Sequence, residues 1–240
     1  MVKYPTLDRT PIREIVFSIS YNEIIDTTCF ERFVESKDIK SSFEKIVPLL
    51  ERSFRIDNKG LSQSNSNKAN GYQLRNKNEV IQLRNGSFSY HYLNEYRDFD
   101  KILSSITSFW ERFISIVKKD ALTITNVIVR YINVIEDKSN SHDISHLIQL
   151  YPKRSNDRDV LNFQNSVTFK YQDNPEFFIT TVSTQVNKNT ALLDITVVKD
   201  ISLINEETKN LSSLFRPIRE IKNRVFFDSI TAKALIKYIK

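Results

Sequence analysis

Hydrophobic and polar residues alternate along several segments of the chain, a pattern typical of half-buried β-strands. In the first segment, residues 11–21, Ile15, Phe17 and Ile19 alternate with smaller or polar residues. The same pattern predicts two or three short strands over 72–93 and single strands at 123–136, 161–172, 176–186 and 190–200. Asn85-Gly86 predicts a hairpin turn, because a type I′ turn needs positive φ at both central positions.

Apolar residues at helical spacing predict three main helical regions. The clearest is 98–120, in which a wide apolar stripe includes Trp110 and Phe113. The stretch 41–56 also shows helical spacing, with Pro48 expected to shorten or kink the helix. A third helix is expected from a cap at Asn205 onward, with a core face formed by Leu211, Leu214, Phe215, Ile218, Ile221, Val225 and Phe226.

The order of these elements predicts the fold class. A strand, a helix, three strands and a long helix are followed by a similar series, and the polar stretch 60–71 is predicted to be a mobile surface loop. We therefore expect an α+β fold, an antiparallel sheet with helices packed on one side. The chain is predicted to form a single domain, 1–240, with two similar halves, 1–120 and 121–240. Two ferredoxin-like modules are the alternative.

Composition excludes several classes of chemistry. The chain has 240 residues, a net charge of +6 spread evenly over its two halves, one cysteine and three histidines. Three glycines are too few for a phosphate-binding loop or a dinucleotide fingerprint, and the Cys and His count does not suit the usual structural zinc sites. We therefore predict no cofactor and no metal. The absence of a signal-like or membrane-spanning apolar run predicts a cytoplasmic protein without membrane contact.

Two local clusters suggest binding or catalysis more weakly. His142 and His146 lie four residues apart and would share a helix face, yet the surrounding segment is polar and favours surface histidines. A second cluster combines aromatic and basic side chains that would suit single-stranded nucleic acid: Arg75, Arg84, Tyr90 and Tyr92. The same aromatic pattern is expected of a strand packed beneath a helix, and we favour that interpretation.

A charged residue interrupts the most apolar strand, VIVRYINVIE at 127–136. An unpaired guanidinium in a core strand would be very costly, because arginine keeps its proton. Acidic residues stand in two other apolar strands, at Glu14 and Asp194. We predict that Arg130 pairs with one or both of them as a polar tie between strands. The alternative is that Arg130, together with Asn133, lines a pocket for an anionic ligand.

The same residues carry a resemblance to a sporadically distributed family of uncharacterised bacterial proteins. The matching motifs are an N-terminal strand with Pro11-Ile12-Arg13-Glu14, a central Arg130-Tyr131-Ile132-Asn133 strand after an aromatic-rich helix, and a C-terminal Phe226 or Phe227 with Ile230-Thr231. Val129 replaces the leucine usually found before the arginine. The resemblance spans nearly the whole chain. It implies an accessory gene, such as those of phage-defence or toxin–antitoxin loci, and carries no established activity.

These observations favour a non-enzymatic binding or regulatory protein. The expected partner is another protein or a small anionic ligand, bound through the polar group at Arg130, Asn133, Glu14 and Asp194. The alternative is a nucleic-acid or nucleotide binder that uses Arg75, Arg84, Tyr90 and Tyr92. Nothing in the chain predicts an oligomeric state.

Overall fold

The structure is a computed structural model that describes residues 4–57, 60–93, 95–96, 98–117, 122–136, 147–149, 163–171, 174–187, 189–201 and 210–239, with the backbone alone for 51–68. The strands are β1 Ile12–Tyr21, β2 Lys45–Asp57, β3 Gly60–Arg75, β4 Glu79–Arg84, β5 Ser87–Tyr92, β6 Ile124–Glu136, β7 Gln164–Lys170, β8 Phe177–Asn187 and β9 Thr190–Asp200. The helices are α1 Thr27–Glu35, α2 Lys37–Ser42, α3 Phe99–Ile116, α4 Leu211–Ser229 and α5 Ala232–Leu235, with a 3₁₀ turn at Ile236–Tyr238.

The described strands form a nine-stranded sheet in the order β2-β3-β4-β5-β1-β6-β9-β8-β7. The pairs β2–β3, β3–β4, β4–β5, β6–β9, β8–β9 and β7–β8 are all antiparallel. The helices lie on one side of the sheet. The predicted α+β fold with an antiparallel sheet and one-sided helices is therefore confirmed.

The chain divides into two compact units, whereas the similar halves 1–120 and 121–240 remain a prediction from sequence. Unit 1 comprises Met1–Val16, Asn94–Phe99 and Asn126–Lys240, and unit 2 comprises Phe17–Leu93 and Asp100–Thr125. β1 begins in unit 1 and ends in unit 2, whereas β6 begins in unit 2 and ends in unit 1. A division at residue 120 would not separate the units, because each is assembled from distant parts of the chain.

Unit 2 is built around aromatic side chains of α3. Phe113 stacks on Phe30 of α1, with ring centroids 6.0 Å apart, and Phe88 of β5 meets the Trp110 ring edge-on at 5.5 Å. Phe30, Phe88 and Phe113 are completely buried. The apolar stripe predicted for the helix at 98–120 is therefore core, because its aromatic side chains pack on buried rings of β5 and α1.

Unit 1 places α4 against β9. Along β8, buried and half-exposed side chains alternate over seven residues, as expected for strands covered on one face only. On β6 the buried face carries Val127, Val129, Tyr131, Asn133 and Ile135. The N-terminal segment joins this unit through two backbone bonds, from Val134 N–H to Pro11 at 2.8 Å and from Asp8 N–H to Tyr238 at 2.8 Å.

Two predictions about the region 41–71 are wrong. The expected helix over 41–56 is instead the end of α2 followed by β2, and the expected loop over 60–71 is part of β3. Pro48 explains the first error, because a proline suits an edge strand better than a helix interior, and β2 is the last strand of the sheet on that side. The second error concerns a polar segment: 60–71 belongs to a strand because it pairs with the edge strand β2, in a part of the sheet where polar residues are common.

Other predicted elements agree with the structure. Asn85 and Gly86 form the two-residue turn between Arg84 and Ser87, and Gly86 has a φ of 81°. The three strands predicted after residue 160 correspond to β7, β8 and β9. The C-terminal helix is capped by the Asn210 side chain, which accepts from Ser212 N–H, whereas the predicted cap Asn205 lies outside the described residues.

Gly71 is the glycine whose replacement should be most damaging. It has a φ of 152°, and an added Cβ would lie 1.9 Å from the carbonyl oxygen of Leu83 on the neighbouring strand β4. Because backbone would have to move, we expect Gly71→Ala to lower the free energy of unfolding by about 3 kcal/mol or more. Chemical denaturation monitored by circular dichroism measures this change.

Gly86→Ala is the matched control. Its Cβ would lie 3.6 Å from the nearest backbone oxygen, that of Tyr21, so only the positive φ opposes the substitution. A loss of about 1 kcal/mol is expected there. Equal losses at the two glycines would contradict the close approach of β3 and β4 at Gly71.

Candidate ligand-binding site

A cavity of about 630 Å³ lies within unit 1. One wall is formed by α4, a second by the N-terminal segment 4–12, and the remainder by residues 95–96 and Asn133 of β6. Its walls therefore combine a helix, a strand and an extended segment. The volume falls in the range that is typical of small-molecule sites.

The helical repeat explains why α4 presents several functional side chains together. Arg219, Lys222, Asn223 and Phe226 are spaced by three, one and three residues, so they share one face of the helix and all line the cavity. The same face continues the buried stripe that contains Ile218. One face of α4 therefore provides both buried core residues and residues that line the cavity.

Lys222 is the most unusual residue of this wall. Its side chain is buried, with 6% of the residue exposed, and its Nζ lies 4.1 Å from the ring centroid of Tyr131. No carboxylate among the described side chains forms an ion pair with it. Burial, with a smaller electrostatic contribution from Arg219, lowers the pKa of Lys222 to about 7. The ammonium form is disfavoured because it is desolvated without a counter-charge.

Arg219 supplies a second cation to the same wall. It is half-buried, and its guanidinium carbon lies 4.8 Å from the ring centroid of Phe99. A guanidinium stacked on an aromatic ring is held in place while its N–H groups stay available for an anion. Two cationic side chains, both packed on aromatic rings, therefore face one cavity.

Two buried hydroxyl groups in this region lack hydrogen-bond partners within the described part of the chain. They belong to Thr10, which lines the cavity, and to Tyr131, beneath Lys222. Complete burial raises the pKa of Tyr131, and Arg219 opposes the rise electrostatically. A buried hydroxyl group without a partner is costly, so the Thr10 hydroxyl marks a place at the cavity where a bound polar group would be stabilised. Tyr131 does not itself line the cavity.

Asn133 contributes a fixed amide to the cavity. The residue is 1% exposed, and its Nδ2 donates to the backbone carbonyl oxygens of Leu193 at 2.9 Å and Tyr131 at 3.3 Å. With both amide hydrogens engaged, the Oδ1 oxygen is left as an acceptor. Asn133 can thus accept a hydrogen bond from a ligand without reorienting.

The opposite charges of the cavity lie at its exposed rim. Asp8 and Glu95 line the cavity but are solvent-exposed, whereas Lys222 is buried. Exposed carboxylates are hydrated and screened, so they offset the buried ammonium weakly. Tyr4 and Phe227 stack at a centroid distance of 4.6 Å, which adds an aromatic edge to the site.

The structure brings Arg130 and Asp194 together, and the charge of Glu14 also acts on Arg130. Arg130 Nε donates to Asp194 Oδ1 at 3.0 Å and Oδ2 at 2.8 Å, and Nη2 donates to Oδ2 at 2.5 Å. These bonds raise the pKa of Arg130, and the charge of Glu14 adds to the rise. The guanidinium is only partly removed from water, because the Arg130 side chain is 48% exposed.

The four predicted site residues therefore do not form one group. Arg130 and Asn133 are three residues apart on β6 and occupy opposite faces of the sheet, since strand side chains alternate. Asn133 lines the cavity, whereas Arg130 and Asp194 form a tie on the other face. Arg130 does not line this cavity.

The aromatic and basic cluster proposed for nucleic acid is also divided. Tyr90 is completely buried, and its hydroxyl donates to Glu79 Oε1 at 2.5 Å. The interpretation of Tyr90 as a stacking platform is wrong, because its ring packs on Phe109 of α3. Tyr92 is half-exposed, and Arg75 and Arg84 are exposed, opposite Val80 and Gly71 respectively along the ladder of β3 and β4.

His142 and His146 lie outside the described residues. Elsewhere in the described part of the chain, no group of three or more His, Cys, Asp or Glu side chains is arranged to hold a metal ion.

Lys222 and Arg219 were not predicted from the sequence. The signal that points to Lys222 is its position four residues after Ile218 and three before Val225, in the middle of the buried stripe. Sequence analysis instead assigned Ile221 to the core face, where the structure shows a half-exposed side chain. A lysine within an apolar stripe is a usable signal for a buried amine.

Comparison with known proteins adds little at the level of function. No protein-family model matches the chain, and no curated protein matches it. Among solved structures the chain is similar to "Methanococcus jannaschii TBP", with 12% identity and a TM-score of 0.27 over 88% of this chain and 97% of that one. At this TM-score the likeness supports no conclusion about the present chain. Within the described ranges, no helix is both long and apolar enough to cross a membrane.

The Arg130–Asp194 tie should stabilise the fold measurably. The Asp194 side chain is 9% exposed, so removing its partner leaves a poorly solvated carboxylate. We expect Arg130→Met to lower the free energy of unfolding by about 1 to 3 kcal/mol, below the loss for a fully buried pair because Arg130 is half-exposed. Urea denaturation at neutral pH measures the change.

Arg13→Met provides the matched control for this experiment. Arg13 pairs with Glu136 at 3.5 Å, and both side chains are more than half exposed. Its loss should cost about 0.5 kcal/mol or less. If the two arginine variants were equally stable, the tie would contribute no more than an ordinary surface pair.

Burial of Lys222 should make stability depend on pH. Its pKa is about 7 in the folded chain and 10.5 in the unfolded chain, so the unfolded chain binds more protons between these values. The contribution of this residue to the free energy of unfolding therefore rises with pH between about 7 and 10.5 and is lowest below pH 7. Relative to Lys222→Met, the native protein should gain about 2 kcal/mol between pH 7 and pH 9.

The measurement is urea denaturation of both proteins at each pH. Arg216→Met is the control, because Arg216 is an exposed residue of the same helix. A difference between native protein and Lys222→Met that does not change with pH would show that Lys222 is not desolvated in the fold.

Proposed function

We propose that the protein binds a small anionic ligand in the cavity of unit 1. The observation that carries the proposal is the buried, unpaired Lys222 beside Arg219 on one cavity wall. A ligand with a carboxylate or phosphate group would provide the missing counter-charge. Attraction between opposite charges is strongest where both are removed from water, which favours an anion bound at Lys222 over one bound at the rim.

The rest of the lining supports a ligand that also has an apolar part. Aromatic rings of Tyr4, Tyr96, Phe226 and Phe227 line the same cavity, and pockets of this kind bury the apolar part of a ligand while a few polar groups orient it. The Asn133 oxygen favours a ligand that carries a donor group as well. An aromatic or aliphatic acid of modest size fits this combination.

Binding an anion at this site requires no covalent chemistry, so the proposed function is that of a binding protein. The resemblance to an accessory bacterial family adds the expectation of a locus for phage defence or toxin–antitoxin function, in which the ligand would act as a signal. Recognition of a partner protein remains a prediction from sequence. The nucleic-acid alternative loses support from the burial of Tyr90.

Isothermal titration with benzoate, phenyl phosphate and neutral benzamide tests the proposal. We expect at least one of the two anions to bind, and benzamide to bind at least about tenfold more weakly, because it lacks the charge that Lys222 and Arg219 recognise. Lys222→Met and Arg219→Met should each weaken binding of the anion by about tenfold or more.

Arg216→Met is again the matched control, since it removes a cation from the exposed side of the same helix. Its affinity for the anion should equal that of the native protein. Equal affinities in all four proteins, or tighter binding of benzamide than of either anion, would contradict an anion site at Lys222.

A further inference from the structure

The cavity contains a feature that anion binding alone does not require. The ammonium group of an ordinary binding lysine is exposed, whereas Lys222 holds its amine within the wall against the Tyr131 ring. The guanidinium of Arg219 beside it recognises anions but is not a nucleophile. Besides its part in charge recognition, Lys222 therefore offers an amine that is a nucleophile when it is neutral.

Three features of its surroundings are those of a nucleophilic amine. Lys222 is desolvated, it has no ion-pair partner among the described side chains, and a second cation lies on the same helix one turn earlier. Desolvation and a neighbouring cation are the two means by which proteins keep a lysine in its neutral, nucleophilic form. The lowered pKa agrees with this geometry, since a pKa of about 7 leaves a large neutral fraction at neutral pH.

We infer that Lys222 captures carbonyl compounds bearing an anionic group, small oxo acids or acidic aldehydes, by forming an imine within the cavity. This inference rests on the proposed function and narrows its ligand class. Arg219 would bind the carboxylate of the ligand and so hold its carbonyl carbon near Nζ of Lys222.

The chemistry is a reversible condensation. The lone pair of Nζ attacks the carbonyl carbon, the π electrons move to the carbonyl oxygen, and a proton passes from nitrogen to that oxygen to give a carbinolamine. Loss of the hydroxyl group with the second amine proton releases one water and forms the C=N bond. No oxidant, reductant or metal is consumed.

The structure also suggests which groups assist this step. The buried Tyr131 hydroxyl has no hydrogen-bond partner among the described residues, and its burial favours the protonated phenol. Tyr131 does not line the cavity, and its part is to hold Nζ of Lys222 against its ring, 4.1 Å from the ring centroid. Tyr131 is on this view a positioning residue for Lys222.

Trapping with sodium cyanoborohydride tests the inference. The full chain is incubated at pH 7 with pyruvate or acetone, which differ by a carboxylate in place of a methyl group, and reduced adducts are located by peptide mass spectrometry. Pyruvate should label Lys222 about tenfold or more faster than any other lysine, because its neutral fraction is far larger. Acetone should label it much more slowly than pyruvate.

Lys199 is the matched control. It is also buried beside an aromatic ring, with Nζ 5.6 Å from the Phe177 centroid, but it does not line the cavity. Lys199→Met should leave labelling of Lys222 unchanged. Lys222→Arg should abolish the adduct at that position while retaining the charge, and Arg219→Met should reduce labelling by pyruvate to about the rate with acetone.

The outcomes separate the two proposals. If benzoate or phenyl phosphate binds but pyruvate labels Lys222 no faster than Lys199, the imine inference is wrong and the anion site stands. If neither anion binds and no selective adduct forms, both are wrong. Circular dichroism of each variant shows whether it is folded. Both Lys222→Arg and Lys222→Met are made, so the test can still be performed if one of them does not fold.

Discussion

Burial of an amine without a counter-charge is the constraint on which the site in unit 1 depends. A lysine in the interior costs several kcal/mol unless it is paired or loses its proton. Lys222 is buried beside an aromatic ring, with a second cation on the same helix face, so its environment disfavours the charged form. The fold accepts this cost at the wall of a cavity, where a ligand can offset it.

The surrounding fold shows why such a position can be maintained. α4 packs against β9, and residues on both sides of Lys222 along the helix, such as Ile218 and Val225, are almost fully buried. Helix stability therefore comes from the stripe, and one polar residue within it can be tolerated. Sites of this kind, where a local rule is broken and compensated nearby, are where function is expected.

Sequence analysis predicted the fold class and most strands because period-two alternation and the Asn85-Gly86 turn are local signals. It failed over 41–71. Helical spacing predicted a helix over 41–56 and polar composition predicted a loop over 60–71, whereas pairing between β2 and β3 makes both segments strands. Edge strands are partly solvated, so their sequences carry a weak hydrophobic pattern. No local signal distinguishes them from loops.

The candidate site illustrates the same limit. The polar residues of strand 127–136 were singled out, and alternation already places Arg130 and Asn133 on opposite faces. They were nevertheless given a shared role because both interrupt an apolar run, and sequence does not show which partners each residue meets. Lys222 was missed because a helix tolerates a lysine at most positions, and only the packing of the N-terminal segment and β6 against α4 makes its burial evident.

Direct titration of Lys222 tests the account most simply. Carbon-13 labelling of lysine, with NMR detection of the Cε resonance and assignment by comparison with Lys222→Arg, reports the pKa of this amine in the folded protein. We expect a midpoint near 7, with a shift to higher pH when an anion such as benzoate is bound. A midpoint near 10.5, unaffected by benzoate, would show that the amine is hydrated and that Lys222 is not the desolvated amine on which the site depends.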